Sequence, residues 1–189
     1  MQRIGPLFIL ALITSAQTGQ HNGTTSSSWT KEPDQFKGVK WNASLEEAKS
    51  SAAFDKCTEI ESGTLTKGHT ICEMTTWVTD DYAISWAFVF NNGRFANVSG
   101  GFPAKYYEDV RSLFITKYGR PTSVNHEQMR TGLGVPYTQE TLTWRGKTIA
   151  LIIYRFSDTV DEGTVVFIPV ATMIEDAKRN QESKRRALQ

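Results

Sequence analysis

Phe102-Pro103-Ala104-Lys105-Tyr106-Tyr107-Glu108-Asp109-Val110-Arg111-Ser112-Leu113-Phe114-Ile115-Thr116-Lys117-Tyr118-Gly119-Arg120-Pro121 reads as a helix with a marked end. Tyr106, Val110, Leu113, Phe114 and Tyr118 fall close to the i, i+4, i+7, i+8 spacing that forms one buried stripe on a 3.6-residue period. Lys105, Glu108, Asp109, Ser112 and Thr116 fall on the opposite, solvated side. Lys117 lies within the stripe, where its stem can pack while its ammonium reaches water. Ile115 is expected to point away from the core. Gly119 supplies the left-handed position that ends helices, and Pro121 prevents resumption. Such a helix must lie on something apolar, and the runs around it have the character of strands.

Upstream, Phe36 to Trp41 reads as a short strand, and Ser44-Leu45-Glu46-Glu47 has the S-x-x-E form of a capping box. A first helix is therefore expected from Leu45 to Phe54, with Leu45, Ala48, Ala52 and Phe54 on its apolar side. Thr70 to Val78 is β-branched and aromatic. Tyr82, Ile84, Trp86, Phe88 and Phe90 then alternate with smaller residues, a period of two. Asn91-Asn92-Gly93 is a hairpin signal, because Asn and Gly accept the positive φ of a tight turn, and Arg94 to Ser99 is the return strand. Beyond the central helix, a loop over 132–137 leads to strands at 140–144, 148–156 and 164–170, separated by turns at Arg145-Gly146 and 157–163.

The fold class is α+β, with helices packed on one face of an antiparallel sheet and an order suggesting two tandem helix-plus-three-strand units. Glu73-Met74-Thr75-Thr76-Trp77 matches Glu140-Thr141-Leu142-Thr143-Trp144 at three of five positions. The order of elements supports duplication more than this short match does.

The ends carry different information. Arg3, an apolar run from Ile4 to Ile13, and the small residues Thr14, Ser15 and Ala16 have the layout of a secretory signal peptide, with residues 1–16 removed. Residues 17–35, rich in Thr, Ser, Gly and Gln, read as a flexible linker. Residues 36–172 form one domain, and 173–189 a charged tail. No segment approaches the roughly 20 apolar residues of a membrane span. With 21 Lys plus Arg against 20 Asp plus Glu, nothing favours nucleic acid as a partner. The expected location is outside the cytoplasm, periplasmic or extracellular.

Cys57 and Cys72 make an even count in an exported chain, which favours a disulfide. A bridge over such a loop constrains the unfolded state by roughly 3 kcal/mol on the chain-entropy model, and it would staple the first helix to the sheet. No cofactor or metal is expected. The histidines His21, His69 and His126 are scattered, there is no G-x-S-x-G or H-E-x-x-H, and Gly132 and Gly134 follow no clear strand. Asp158, Asp161 and Glu162 read as a polar turn, as do Asp80 and Asp81. Asn22, Asn42 and Asn97 match N-x-[ST], although Asn42 and Ser44 are better explained by helix capping.

The segments Phe36-Lys37-Gly38-Val39-Lys40-Trp41, Ser44 to Ala48, the Cys pair, the aromatic strand with its Asn-Gly turn, Tyr118-Gly119-Arg120-Pro121 and Thr143-Trp144-Arg145-Gly146 together resemble a group of uncharacterised exported bacterial domains. These are similar in layout to β-lactamase-inhibitor-protein-like and small outer-membrane assembly lipoprotein folds. The resemblance implies an envelope binding or scaffolding role without catalytic residues. This chain departs from it at Asn42, where a Gly commonly follows the Trp, and in lacking a lipid-anchoring Cys.

Three functions stay open. Five Trp, ten Phe and six Tyr favour a non-enzymatic module that binds a protein or envelope component, with Trp77, Trp86 and Trp144 as the candidate surface and ordinary core as the alternative for each. A small-ligand carrier would need an apolar cavity between helices and sheet. A hydrolase would need a site assembled from distant residues such as His126, Asp81 or Glu140.

Overall fold

Bulky apolar residues alternating along successive strands build one continuous row across the sheet. In a computed structural model, which describes residues 29–60, 69–157 and 159–187, register pairs Cys57 with Cys72, Cys72 with Phe88, Phe88 with Val98, Val98 with Phe167, Phe167 with Leu151 and Leu151 with Trp144. Directly opposed residues share a face, so this row points one way, and from Cys72 to Trp144 it is buried throughout. A parallel row two residues on runs Met74, Trp86, Gly100, Val165, Ile153, Leu142. Gly100 is required there, because any Cβ would run into the Trp86 ring.

The strands carrying these rows are β3 (Lys56–Ile60), β4 (His69–Trp77), β5 (Ala83–Asn91), β6 (Arg94–Pro103), β7 (Ser123–Arg130), β8 (Pro136–Arg145), β9 (Ile149–Tyr154) and β10 (Glu162–Pro169). They form one eight-stranded antiparallel sheet in the order β3-β4-β5-β6-β10-β9-β8-β7. Helix α1 (Leu45–Ser51) precedes the first four, α2 (Tyr107–Tyr118) the second four, and α3 (Val170–Ala187) ends the chain. Each unit is thus a helix followed by four strands, not the three expected. The two meanders meet at their last strands, β6 and β10.

Local chemistry explains several boundaries. The capping box is present: Ser44 accepts from the Glu47 amide at 3.2 Å, and the Glu47 carboxylate accepts from the Ser44 amide at 2.7 Å. Helix α1 ends at Ser51, earlier than expected. The stretch from Phe36 to Trp41 is not a single strand but a hairpin, β1 (Gln35–Phe36) with β2 (Val39–Lys40), turned by Lys37 and Gly38 at φ 48° and 86°. Asn92 and Gly93, at φ 49° and 72°, turn β5 into β6 in the same way. The disulfide joins Cys57 and Cys72, which are cross-strand partners on β3 and β4. It therefore clips an edge strand to its neighbour, and does not staple the first helix to the sheet.

The central helix begins later than expected, because β6 continues to Pro103 and a 3₁₀ turn over Ala104–Tyr106 follows. Its stripe keeps Val110, Phe114 and Tyr118 and changes at its margins. Tyr107, Val110, Phe114 and Tyr118 are buried, while Leu113, expected inside, is 46% exposed and Ile115, expected outside, packs against the core. Phe114 and Tyr118 rest on Phe167 with ring centroids 6.4 and 5.7 Å apart, and Phe36 of the hairpin meets the same ring at 4.7 Å. Gly119 ends the helix at φ 82° and ψ −171°, a region open essentially to glycine alone.

Helix C-termini leave carbonyls without intrahelical partners, and two indoles satisfy them. Trp144 Nε1 donates to the Gly119 carbonyl at 2.8 Å, and Trp29 Nε1 donates to the Tyr118 carbonyl at 2.9 Å. Residues 29–35, expected to be linker, are therefore part of the domain. Glu32 reinforces this, accepting from the amides of Lys147, Thr148 and Ile149 at 2.7 to 2.8 Å. Burial opposes its charge, but the three amides and the Lys147 cation outweigh burial and lower its pKa. Residues 1–28, which include the expected leader and Asn22, and Asp158 lie outside the described residues. Among those described, no helix is long and apolar enough to cross a membrane, and the disulfide is consistent with an exported protein.

Truncating the stripe should separate its true members from its neighbours. Phe114→Ala is expected to cost about 3 to 5 kcal/mol in urea denaturation, and Leu113→Ala less than about 1 kcal/mol. Equal losses would show that the stripe is wrongly phased.

Candidate functional site

Alternation along the strands gives the sheet a second face. Register places Glu73, Ala87, Ser99, Val166, Ile152 and Thr143 in a row there, opposite in direction to the buried aromatic row. Apart from the exposed Glu73, the side chains are small or aliphatic and half-buried. Trp77 has the same parity as Glu73 along β4 and so projects on this face, where it is 69% exposed.

The three tryptophans expected to form one surface separate. Trp86 and Trp144 are buried in the core, so their rings are not offered to a partner, and only Trp77 is exposed. The five-residue match between β4 and β8 misleads here, because Trp77 lies on the face opposite the buried aromatic row whereas Trp144 lies beside Leu151 in that row. A shift of one residue reverses which face a side chain takes.

A polar cluster forms where α2 crosses β8. Glu140 stands two residues before Leu142 and so faces the helix, and Tyr107 and Arg111, one turn apart on α2, come down on it. Tyr107 Oη donates to Glu140 Oε1 at 2.5 Å, and Arg111 Nε donates to the same oxygen at 3.2 Å. His126, the register partner of Glu140 on β7, places Nε2 2.7 Å from Oε2. The neighbouring Arg155 guanidinium lies 5.6 Å from the centroid of the Tyr107 ring and 5.2 Å from that of Phe156.

Electrostatics fit a lock better than a catalytic base. Burial works against the Glu140 charge, but the hydrogen bonds from Tyr107 and His126 and the Arg111 cation prevail and hold its pKa below the usual carboxylate value. The Tyr107 phenol is pushed up strongly, by burial first and then by its bond to Glu140. A carboxylate with a depressed pKa and both oxygens already accepting is a poor proton acceptor for substrate. His126 and Glu140, named from the sequence as distant candidates, do meet. Asp81 does not join them; it lies in the exposed turn before β5, and three strands separate β5 from β8 in the sheet order.

Sequence reasoning did not assign Tyr107 or Arg111 to this cluster. The i, i+4 spacing of the pair was visible, but nothing local tied it to Glu140. Among the described residues no group of acidic, His or Cys side chains is placed to hold a metal.

Glu140→Gln should lower stability by about 1 to 3 kcal/mol at pH 7. Because the folded pKa is depressed, the carboxylate's contribution is complete above its unfolded value of about 4.3 and is lost as pH falls through the lower folded value. Urea denaturation from pH 7 to pH 3 should therefore show the gap between wild type and Glu140→Gln closing towards acid. A gap unchanged by pH would contradict the charged lock.

No protein-family model matches the chain, and no curated protein or solved structure matches it.

Proposed function

We propose that the chain is a non-enzymatic exported module that binds a protein or envelope component through the sheet face that its helices leave open. In this reading α1, α2 and the β1–β2 hairpin cover one face, and the other is the recognition surface. The observation that carries it is Trp77, a large aromatic 69% exposed opposite Ala83, with the small residues Thr75, Ser85 and Gly101 in the next row of the same face. Tryptophan is enriched among residues that dominate binding energy, and flat, small-residue surroundings let a partner approach and exclude water around it. The satisfied Glu140 cluster, which offers no free base, supports binding over hydrolysis. The filled core, with Phe88, Phe167, Leu151 and Trp144 fully buried, supports binding over a carrier with a large internal cavity.

The test uses the partner captured by the wild-type chain from its own exported fraction and then purified. Trp77→Ala should weaken that complex by about 2 kcal/mol or more while changing stability by less than about 0.5 kcal/mol. Ser99→Arg, which places a long charged chain in the middle of the face, should weaken it as well. Calorimetric titration decides. Unchanged affinity in both variants would overturn the assignment of this face.

A further inference from the structure

An apolar cleft opens on the helix side of the sheet, between the β1–β2 hairpin, α2 and strands β4 and β5. Phe36, Trp86, Leu113 and Phe114 form much of its wall, and Lys37 and Lys117 also line it. Its volume is about 150 Å³. A cavity of about that size accommodates one benzene-sized group, so an extended acyl chain would not fit inside it.

Several features of this cleft are costly to the empty protein. Lys37 occupies a turn position at φ 48°, where Asn, Asp or Gly is the ordinary choice. Backbone strain kept at one residue points to a use for that side chain. The Lys37 ammonium lies 5.9 and 5.8 Å from the ring centroids of Phe36 and Trp86, over the walls of the cleft. Burial, and then the like charge of Lys117, lower its pKa. Among the described residues the salt bridges all involve Glu140, and neither lysine has a carboxylate partner. Leu113 leaves nearly half its surface exposed in the wall, and the buried Trp86 Nε1–H has no acceptor among the described residues.

An apolar recess beside two mutually repelling cations, without a carboxylate partner among the described residues, is complementary to an apolar group that carries an anion. We propose that this cleft binds a single apolar group bearing a carboxylate, with an aromatic or branched aliphatic body in the recess and the carboxylate held by Lys37 and Lys117. A free small carboxylic acid and the C-terminal residue of a peptide both present that chemistry. The site lies on the opposite side of the sheet from Trp77, so it stands or falls independently of the open-face reading.

The test titrates the ¹⁵N-labelled full chain with 3-phenylpropionate and with its uncharged counterpart 3-phenylpropanol, following the Trp86 indole resonance and measuring affinity by calorimetry. The acid should shift that resonance saturably and bind at least about tenfold more tightly than the alcohol. Lys117→Gln and Lys37→Asn should each weaken the acid about tenfold and leave the alcohol unchanged; Asn suits the left-handed turn, so the second removes the charge without disturbing the hairpin. Leu113→Trp, at a half-exposed position, should fill the recess and abolish both. A peptide ending in Phe separates the sources. Tighter binding than the free acid, lost on C-terminal amidation, identifies a peptide terminus, whereas binding of the free acid alone identifies a small metabolite; either outcome supports the site. Absence of a saturable Trp86 shift, equal affinity for acid and alcohol, or unchanged acid affinity in folded lysine variants would overturn it.

Discussion

The antiparallel pairing of β6 with β10, which runs from Glu162 opposite Pro103 to Phe167 opposite Val98, is the contact through which the two halves become one structure. Each half is a four-stranded meander with a helix before it. Joined at this seam, the meanders present one row of buried side chains long enough to be covered as a unit. Phe167 is its hub. Its ring meets Phe36, Trp41, Phe114 and Tyr118, so the hairpin from the start of the domain and the helix from its middle converge on a strand near its end. Aromatic pairs at these spacings add about 0.5 to 1.5 kcal/mol each beyond area burial.

Helix α2 is held at both ends by polar contacts that hydrophobic packing alone would not specify. Near its start, Tyr107 and Arg111 bind the Glu140 carboxylate. At its end, the Trp29 and Trp144 indoles occupy carbonyls that would otherwise lack partners. Fixing the helix at both ends sets its separation from the β1–β2 hairpin. The recess flanked by Lys37 and Lys117 opens in that separation, and the face that carries Trp77 lies on the other side of the sheet. One scaffold thus presents two surfaces of different chemistry, a flat one with a lone exposed tryptophan and a small recess with two cations.

What was legible in the sequence was what short-range physics determines. The Ser44–Glu47 box, the Asn92-Gly93 turn, the alternation along β5 and the stop at Gly119 each depend on residues within a few positions of one another. Strand β7 was missed because it is exposed from end to end and shows no alternation. The stripe of α2 was legible at Val110, Phe114 and Tyr118 but not at its margins, where Leu113 and Ile115 exchange inside and outside and Tyr106 belongs to the tighter turn before the helix. Trp29 and Glu32 gave no local signal, since their partners lie 89 and 115 to 117 residues away. Composition left Trp77, Trp86 and Trp144 open between binding surface and ordinary core, and only strand register decides which face a tryptophan takes. The same long-range dependence hid the meeting of Tyr107 and Arg111 with Glu140.

Backbone hydrogen exchange along a urea series measures directly whether the seam unites the halves. Amides of β4 and β5 in the first meander and of β8 and β9 in the second should open with the same free energy, and Phe167→Ala should lower both by the same amount, about 3 to 5 kcal/mol. Persistence of protection in one meander after the other has opened, or a Phe167→Ala effect confined to the second, would contradict the account.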